Sequence, residues 1–187
     1  GVSNAGVVGV TFDINAENNV CEVGSWGRMA IRVFGDGTDI VVHGCRFINI
    51  DSINVVTFNG LGLYDVSIEG NMFLDVQGGE HDHSSIYTRV NNCIIANNRF
   101  KGKRDGDVVE IAAGCAIETH GGRHVVTGNV ISNMNRGMNI TGIAVQSDGT
   151  TVTGNTIYDA LNGIIVFSTH SGGGSGPAMR DVVISDN

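Results

Sequence analysis

The sequence predicts an all-β solenoid in which short parallel strands wind into a stack of about six coils. Three observations predict it: a repeat of about thirty residues, alternation of apolar and polar side chains inside each repeat, and glycine and asparagine returning at the same places. Glycine accounts for 28 of the 187 residues and proline for one, so the chain is neither collagen-like nor a proline-rich linker. Hydrophobic residues make up 41% and charged residues 16%, a balance that suits one buried core and argues against disorder. Residues 1–187 read as a single domain. The chain opens on Gly1 rather than Met, and the expectation is a piece of a longer protein.

The repeat is carried by five aligned segments, Ile40–Phe47, Val66–Phe73, Cys93–Phe100, His124–Ile131 and Thr150–Ile157. Val182–Asn187 begins a further copy, and Ala5–Phe12 is a degenerate first one. Their sixth column reads Val10, Cys45, Asn71, Asn98, Asn129, Asn155 and Asn187, at spacings of 35, 26, 27, 31, 26 and 32 residues. Constant units joined by variable connections are what loops on a fixed scaffold produce.

Each unit alternates with period two. Val42, Ile68, Ile95, Val126, Val152 and Ile184 share one column, and Phe47, Phe73, Phe100, Ile131 and Ile157 another, as expected of strands with one buried face. A second strand-like run lies in each unit: Ala30–Phe34, Val55–Phe58, Ser85–Arg89, Ala116–His120, Ile143–Gln146 and Ile164–Phe167. No segment carries a convincing amphipathic helix, which disfavours a βαβ architecture. Asn and Gly tolerate the left-handed backbone of sharp turns. Stacked about 4.8 Å apart, like asparagines would bond to the copies above and below and satisfy one another inside the core.

The Val-x-Ile followed by Gly-Asn-x-Ile/Phe pattern resembles the right-handed parallel β-helix of the pectin-lyase-like superfamily, over essentially the whole chain. The resemblance implies a right-handed single-stranded parallel β-helix. The superfamily includes pectate lyases, polygalacturonases, alginate epimerases and phage tailspikes or pre-neck appendages, and the glycine and asparagine content with free cysteines looks most like the last group. No stretch matches the calcium-site motif of pectate lyases or the aspartate-rich motif of polygalacturonases. By resemblance the expectation is a homotrimer on a virion tail or appendage, or another extracellular setting.

Net charge of −8 disfavours nucleic acid as partner, since phosphate contacts need a basic face. No apolar run approaches the length of a membrane span, so no membrane insertion is expected. Cys21, Cys45, Cys93 and Cys115 form no C-x-x-C pair, which removes the common zinc-ribbon signatures. Cys45, Cys93 and Cys115 read as small core residues rather than as a disulfide framework. Three excursions, Asp13–Arg28, Lys101–Gly114 and Ser171–Gly176, are candidates for the rim of a binding groove. The last lacks the Gly-Lys-Ser/Thr ending of a phosphate-binding loop.

On the second strands, Ile86, Ile117 and Ile143 are assigned inward. Tyr87, Glu118, Ala144 and Ile165 then face outward, with Arg89, His120, Gln146 and Phe167 two places on. Arg32 and Phe34, then Val56 and Phe58, are placed on the same face. Tyr87, Arg89, Glu118, His120 and Gln146 thus form one predicted surface cluster. Tyr87, Phe34, Phe58 and Phe167 would stack on sugar faces, and Arg89 would grip a carboxylate or phosphate as a bidentate fork. Glu118 is the candidate general acid or nucleophile and His120 the candidate base. The opposing interpretation is a solvated ion-pair ladder of slight energetic value.

A glycosidase needs two carboxylates at a defined separation, and the ladder supplies only Glu118. Asp82, Asp105, Asp107, Glu110 and Asp148 are candidate partners, with Asp82 also a candidate substrate contact, but strand alignment places none of them. A lyase or phosphodiester-cleaving mechanism needs a base and an arginine and fewer carboxylates. No cofactor is required by this chemistry. Glu80–His83 sets His81 and His83 on one face of an extended segment, a geometry open to a divalent metal, though such loops are commonly plain solvated turns. His43, His124 and His170 are expected at the surface. The function expected is a polysaccharide- or teichoic-acid-degrading β-helix. The rivals are a non-catalytic receptor-binding or structural β-helix and an epimerase.

Overall fold

A solenoid needs the chain to turn sharply at the same places in every coil, and the backbone shows where. The computed structural model describes residues 2–13, 29–48, 50, 54–76, 83–102, 114–134, 139–167 and 178–187. One column of turn residues, Asn4, Asp39, Asp65, Asn92, Arg123, Gly149 and Asp181, has φ between 52 and 60°. Five residues further on, Gly9, Gly44, Gly70, Asn97, Gly128, Gly154 and Asp186 have φ between 54 and 66°. These are left-handed conformations, which Gly, Asn and Asp adopt most readily.

The strands follow in chain order. The first coil holds β1 (Val2–Val8) and β2 (Thr11–Asp13). The second holds β3 (Ile31–Phe34), β4 (Gly37–His43) and β5 (Arg46–Ile48). The next two hold β6 (Asn54–Glu69) with β7 (Met72–Val76), and β8 (His83–Ala96) with β9 (Arg99–Gly102). Then come β10 (Gly114–Gly122), β11 (Val125–Thr127) and β12 (Val130–Met134), followed by β13 (Asn139–Asp148), β14 (Thr151–Thr153) and β15 (Thr156–Ala160). The final incomplete coil contributes β16 (Asn162–Val166) and β17 (Val183–Ser185).

Every strand pair is parallel, and there is no helix among the described residues. One sheet runs β1-β4-β6-β8-β10-β13-β16, with β3, β11, β14 and β17 joined to it; the other runs β2-β5-β7-β9-β12-β15. The architecture is therefore a parallel β-helix. It makes about four turns, fewer than the six expected.

Inside, the aligned columns stack as expected. Phe12, Phe47, Phe73 and Phe100 form a ring stack with centroids 5.1, 4.6 and 4.6 Å apart, each contact adding roughly 1 kcal/mol beyond its buried area. Beside them runs the asparagine ladder. The Oδ1 of Asn98 accepts from both the backbone N–H and the side-chain amide of Asn71, each at 2.9 Å. Asn129 does the same for Asn98, Asn155 for Asn129, and Asn187 for Asn155. The second amide hydrogen reaches a carbonyl of the preceding turn, Val42 for Asn71 and Ile68 for Asn98. Cys45 ends the ladder: its N–H donates to Asn71 Oδ1 at 2.8 Å and its thiol lies 3.4 Å from the Val7 carbonyl. Cys45, Cys93 and Cys115 are buried and form no disulfide among the described residues.

Several placements differ from expectation. Val56 and Phe58 are both fully buried, not on the outer face. Thr57 pairs with Tyr87, Phe58 with Thr88 and Asn59 with Arg89, so the residues of that coil in the Tyr87 and Arg89 columns are Thr57, itself buried, and Asn59. A one-residue slip in a strand sends every side chain to the opposite face. His124 is also fully buried, because it occupies the inward column of Ile40, Val66, Cys93 and Thr150. His43 is exposed, as expected. The three excursions fall, apart from their ends, outside the described residues, as do Cys21 and His170.

Asn98→Ala removes an acceptor from two donors of Asn71 and a donor from Ile68. The expected loss is about 3 kcal/mol, read from urea denaturation. Asn97→Gly, at a left-handed turn where other coils carry glycine, is expected to change stability by less than about 0.5 kcal/mol. Equal effects from the two substitutions would refute the ladder as a stabilising element.

Candidate functional site

Register fixes which distant residues become neighbours. Thr57, Tyr87, Glu118, Ala144 and Ile165 stand in one column, and Asn59, Arg89, His120 and Gln146 in the next. Adjacent members are about 4.8 Å apart and the two columns about 7 Å. Three turns therefore bring Tyr87, Arg89, Glu118, His120 and Gln146 together, as expected. Phe167 donates its N–H to the Val145 carbonyl at 3.0 Å, which sets it beyond Gln146, half-buried.

The cluster is not a surface ladder, however. Glu118 is 6% exposed and Gln146 8%, whereas Tyr87 is half-buried and Arg89 exposed. Glu118 is folded inward by its partners. Its Oε1 accepts from Gln146 Nε2 at 3.0 Å and lies 2.8 Å from His120 Nε2. Its Oε2 accepts from the Ser84 hydroxyl, with Cys115 Sγ 3.9 Å away and 3.4 Å from Ser84 Oγ. The His120 ring also packs on Tyr87, with centroids 5.0 Å apart.

This geometry divides the roles. With Glu118 accepting, His120 Nε2 carries its hydrogen, and Nδ1 is the ring nitrogen left to exchange a proton. Glu118 holds the imidazole in one orientation and tautomer, which suits a supporting carboxylate better than a nucleophile. Arg89 stands directly opposite His120 in the neighbouring strand, exposed to whatever approaches the ring.

Ser84 and Cys115 were not legible as members of the cluster. Alternation assigns Cys115 inward and Ser84 beside it, yet Ser84–Ile86 and Cys115–Ile117 are all buried, so alternation lapses there and both side chains reach the carboxylate. Among the aromatic candidates, Phe34 is exposed but the Arg32 guanidinium covers its ring at 4.1 Å. Asp82 and His81 lie outside the described residues, with Asp105, Asp107 and Glu110. His83 opens β8 opposite Gly114. Asp148 accepts from the Arg180 N–H at 2.6 Å. Among the described residues no three His, Cys, Asp or Glu side chains gather as metal ligands. A hollow lined by Ile157, Gly163, Ile164 and Ile184–Asn187 opens at the last turn and contains none of the candidate residues.

Beneath the cluster, His124 Nε2–H donates to the His120 carbonyl at 2.7 Å, while His124 Nδ1 is buried with no hydrogen-bond partner. Burial lowers the His124 pKa from 6.5 to about 4; the backbone bond to His120 opposes the shift and the His120 charge adds to it. Burial pushes the Cys93 thiol up, keeping it neutral.

Compared with known proteins, the chain matches no family model, no curated protein and no solved structure.

A base whose pKa falls on folding binds its proton better when unfolded. Stability is then complete above pH 6.5 and is lost as pH falls toward 4. The His124 share of that loss is about 3 kcal/mol. Urea denaturation across this range is expected to show the slope in the native protein and a reduced slope in His124→Val. An unchanged slope in the variant would contradict the assignment.

Proposed function

We propose that this β-helix binds an extended anionic polymer, a uronate-containing glycan or a teichoic-acid-like chain, along its outer face and cleaves it. The observation that carries the reading is the His120 imidazole held by Glu118 beside exposed Arg89 and against Tyr87. For a uronate polymer the step is a β-elimination. His120 Nδ1 removes the proton α to the carboxylate, and Arg89 pairs with that carboxylate as charge builds on it. The C–O bond β to it breaks, and the oxygen leaves with the electron pair and takes up a proton. One new chain end is then an unsaturated sugar. Tyr87 supplies an apolar platform for a sugar ring.

Glycoside hydrolysis fits less well. It needs two carboxylates, and Glu118 is already engaged by Ser84, His120 and Gln146. The pectin-lyase-like resemblance, and within it the tailspike or pre-neck appendage type, supports a polymer as partner, a trimeric assembly and an extracellular or virion setting. The architecture is compatible with each.

The protein is to be incubated with acidic capsule polysaccharides, polyuronates and teichoic acids. Chain length, ultraviolet absorbance of unsaturated ends and release of phosphomonoester are then followed. Cleavage of one polymer is expected, lowered about 100-fold or more in His120→Gln with binding retained. Arg89→Ala is expected to weaken both binding and cleavage. Binding without shortening, unaltered in His120→Gln, would favour a receptor-binding β-helix. Altered sugar stereochemistry at constant length would indicate an epimerase.

A further inference from the structure

His124 is a buried titratable group that the chemistry above does not use. It sits in the interior column between Cys93 and Thr150, just past the end of the strand that carries His120. One ring nitrogen clamps the His120 carbonyl, and the other points into the core without a partner. Nearby interior groups are neutral hydroxyls: Thr119 and Ser147 are bonded at 2.8 Å, and Ser147 and Thr150 at 2.7 Å.

Apart from His120, whose charge opposes a second one on His124, the titratable and charged groups on the surrounding elements are occupied elsewhere or neutral. On β10, the Glu118 carboxylate is held by Ser84, Gln146 and His120. On β8, the Cys93 thiol is kept neutral by burial. Where β13 meets β14, Asp148 takes the Arg180 N–H on its carboxylate and the Arg123 N–H on its carbonyl, and the Arg123 side chain is exposed.

We propose that His124 is a positioning residue that makes the site acid-sensitive: neutral, it anchors the His120 carbonyl, and protonated, it leaves the core and releases the corner that holds His120 against Glu118. A second N–H formed at Nδ1 would be a buried donor without an acceptor, and a buried charge without a counterion, so the protonated ring is stable only in water. The corner it anchors spans His120–Val125, with left-handed residues at Gly121 and Arg123. Opening it disturbs one coil and leaves the asparagine ladder of the others in place. The device deepens the reading of His120 as the base, and as regulation it rests on that reading. The opening itself does not.

The test is amide hydrogen exchange on the intact protein at pH 7 and pH 4, read by mass spectrometry and corrected for intrinsic rates. At pH 4 the native protein is expected to lose at least tenfold protection in peptides covering 119–125 beyond any loss shared by the other turns. His124→Gln keeps an N–H donor toward His120 without titrating, and is expected to keep its protection. Full protection of 119–125 in the native protein at pH 4 would overturn the proposal. So would the same loss in His124→Gln, or a loss in 119–125 no larger than that in the other turns. The native protein gives a second, independent reading. The His120 ring resonances are expected to move in step with the His124 titration near pH 4, and their indifference to it would also overturn the proposal. Neither measurement requires a polymer. If no polymer binds while the corner still opens in acid, the function falls and the switch stands; if polymer is cleaved and the corner stays closed, the reverse holds.

Discussion

The structure depends on one constraint: each coil must present its hydrogen-bonding groups to the next at the same height. Backbone ladders do this along the strands, but at the turns the chain changes direction and the ladders break. The asparagine column bridges that gap. From Asn98 onward each amide oxygen accepts two hydrogens from the coil before it, Asn71 accepts one from Cys45, and each amide nitrogen returns one to a carbonyl there. A single buried asparagine would be a liability, whereas five in register complete one another. The adjoining phenylalanine stack and the left-handed turn residues require the same register, so three independent features agree on one pairing.

That agreement makes the functional reading possible. Tyr87, Glu118 and Ala144 are about thirty residues apart in sequence and become nearest neighbours only because the coils do not slip. The outer face acquires a gradient of burial, from exposed Arg89 through half-buried Tyr87 to enclosed Glu118 and Gln146. A carboxylate shielded from water and surrounded by donors orients an imidazole more firmly than an exposed ion pair would. The fold thus contributes rigidity, while the chemistry lies in side chains that a solenoid of different sequence would not carry.

Much of this was legible before any coordinates. The Asn71–Asn98–Asn129–Asn155 spacing and the Val42 and Phe47 columns carry the fold, because period-two alternation and turn chemistry are local signals. The columns of Glu118 and His120 were readable too, since Ile86, Ile117 and Ile143 anchor them. Phe58 was misplaced because its coil offers Val55, Val56 and Phe58 as competing inward residues, and parity over four residues does not choose among them. His124 was legible but overlooked: the alignment that revealed the repeat already put it beneath Ile40, Val66 and Cys93. Ser84 and Cys115 were not legible, because they join Glu118 where consecutive residues are all buried and alternation carries no information.

The pairing of coils through side-chain amides is tested most directly by scalar couplings across hydrogen bonds in the NMR spectrum of the labelled protein. The account predicts couplings linking the amide nitrogen of Asn71 to the side-chain carbonyl carbon of Asn98, and onward through Asn129 to Asn155. Rapid solvent exchange of these amides, with no coupling between residues nearly thirty positions apart, would contradict it.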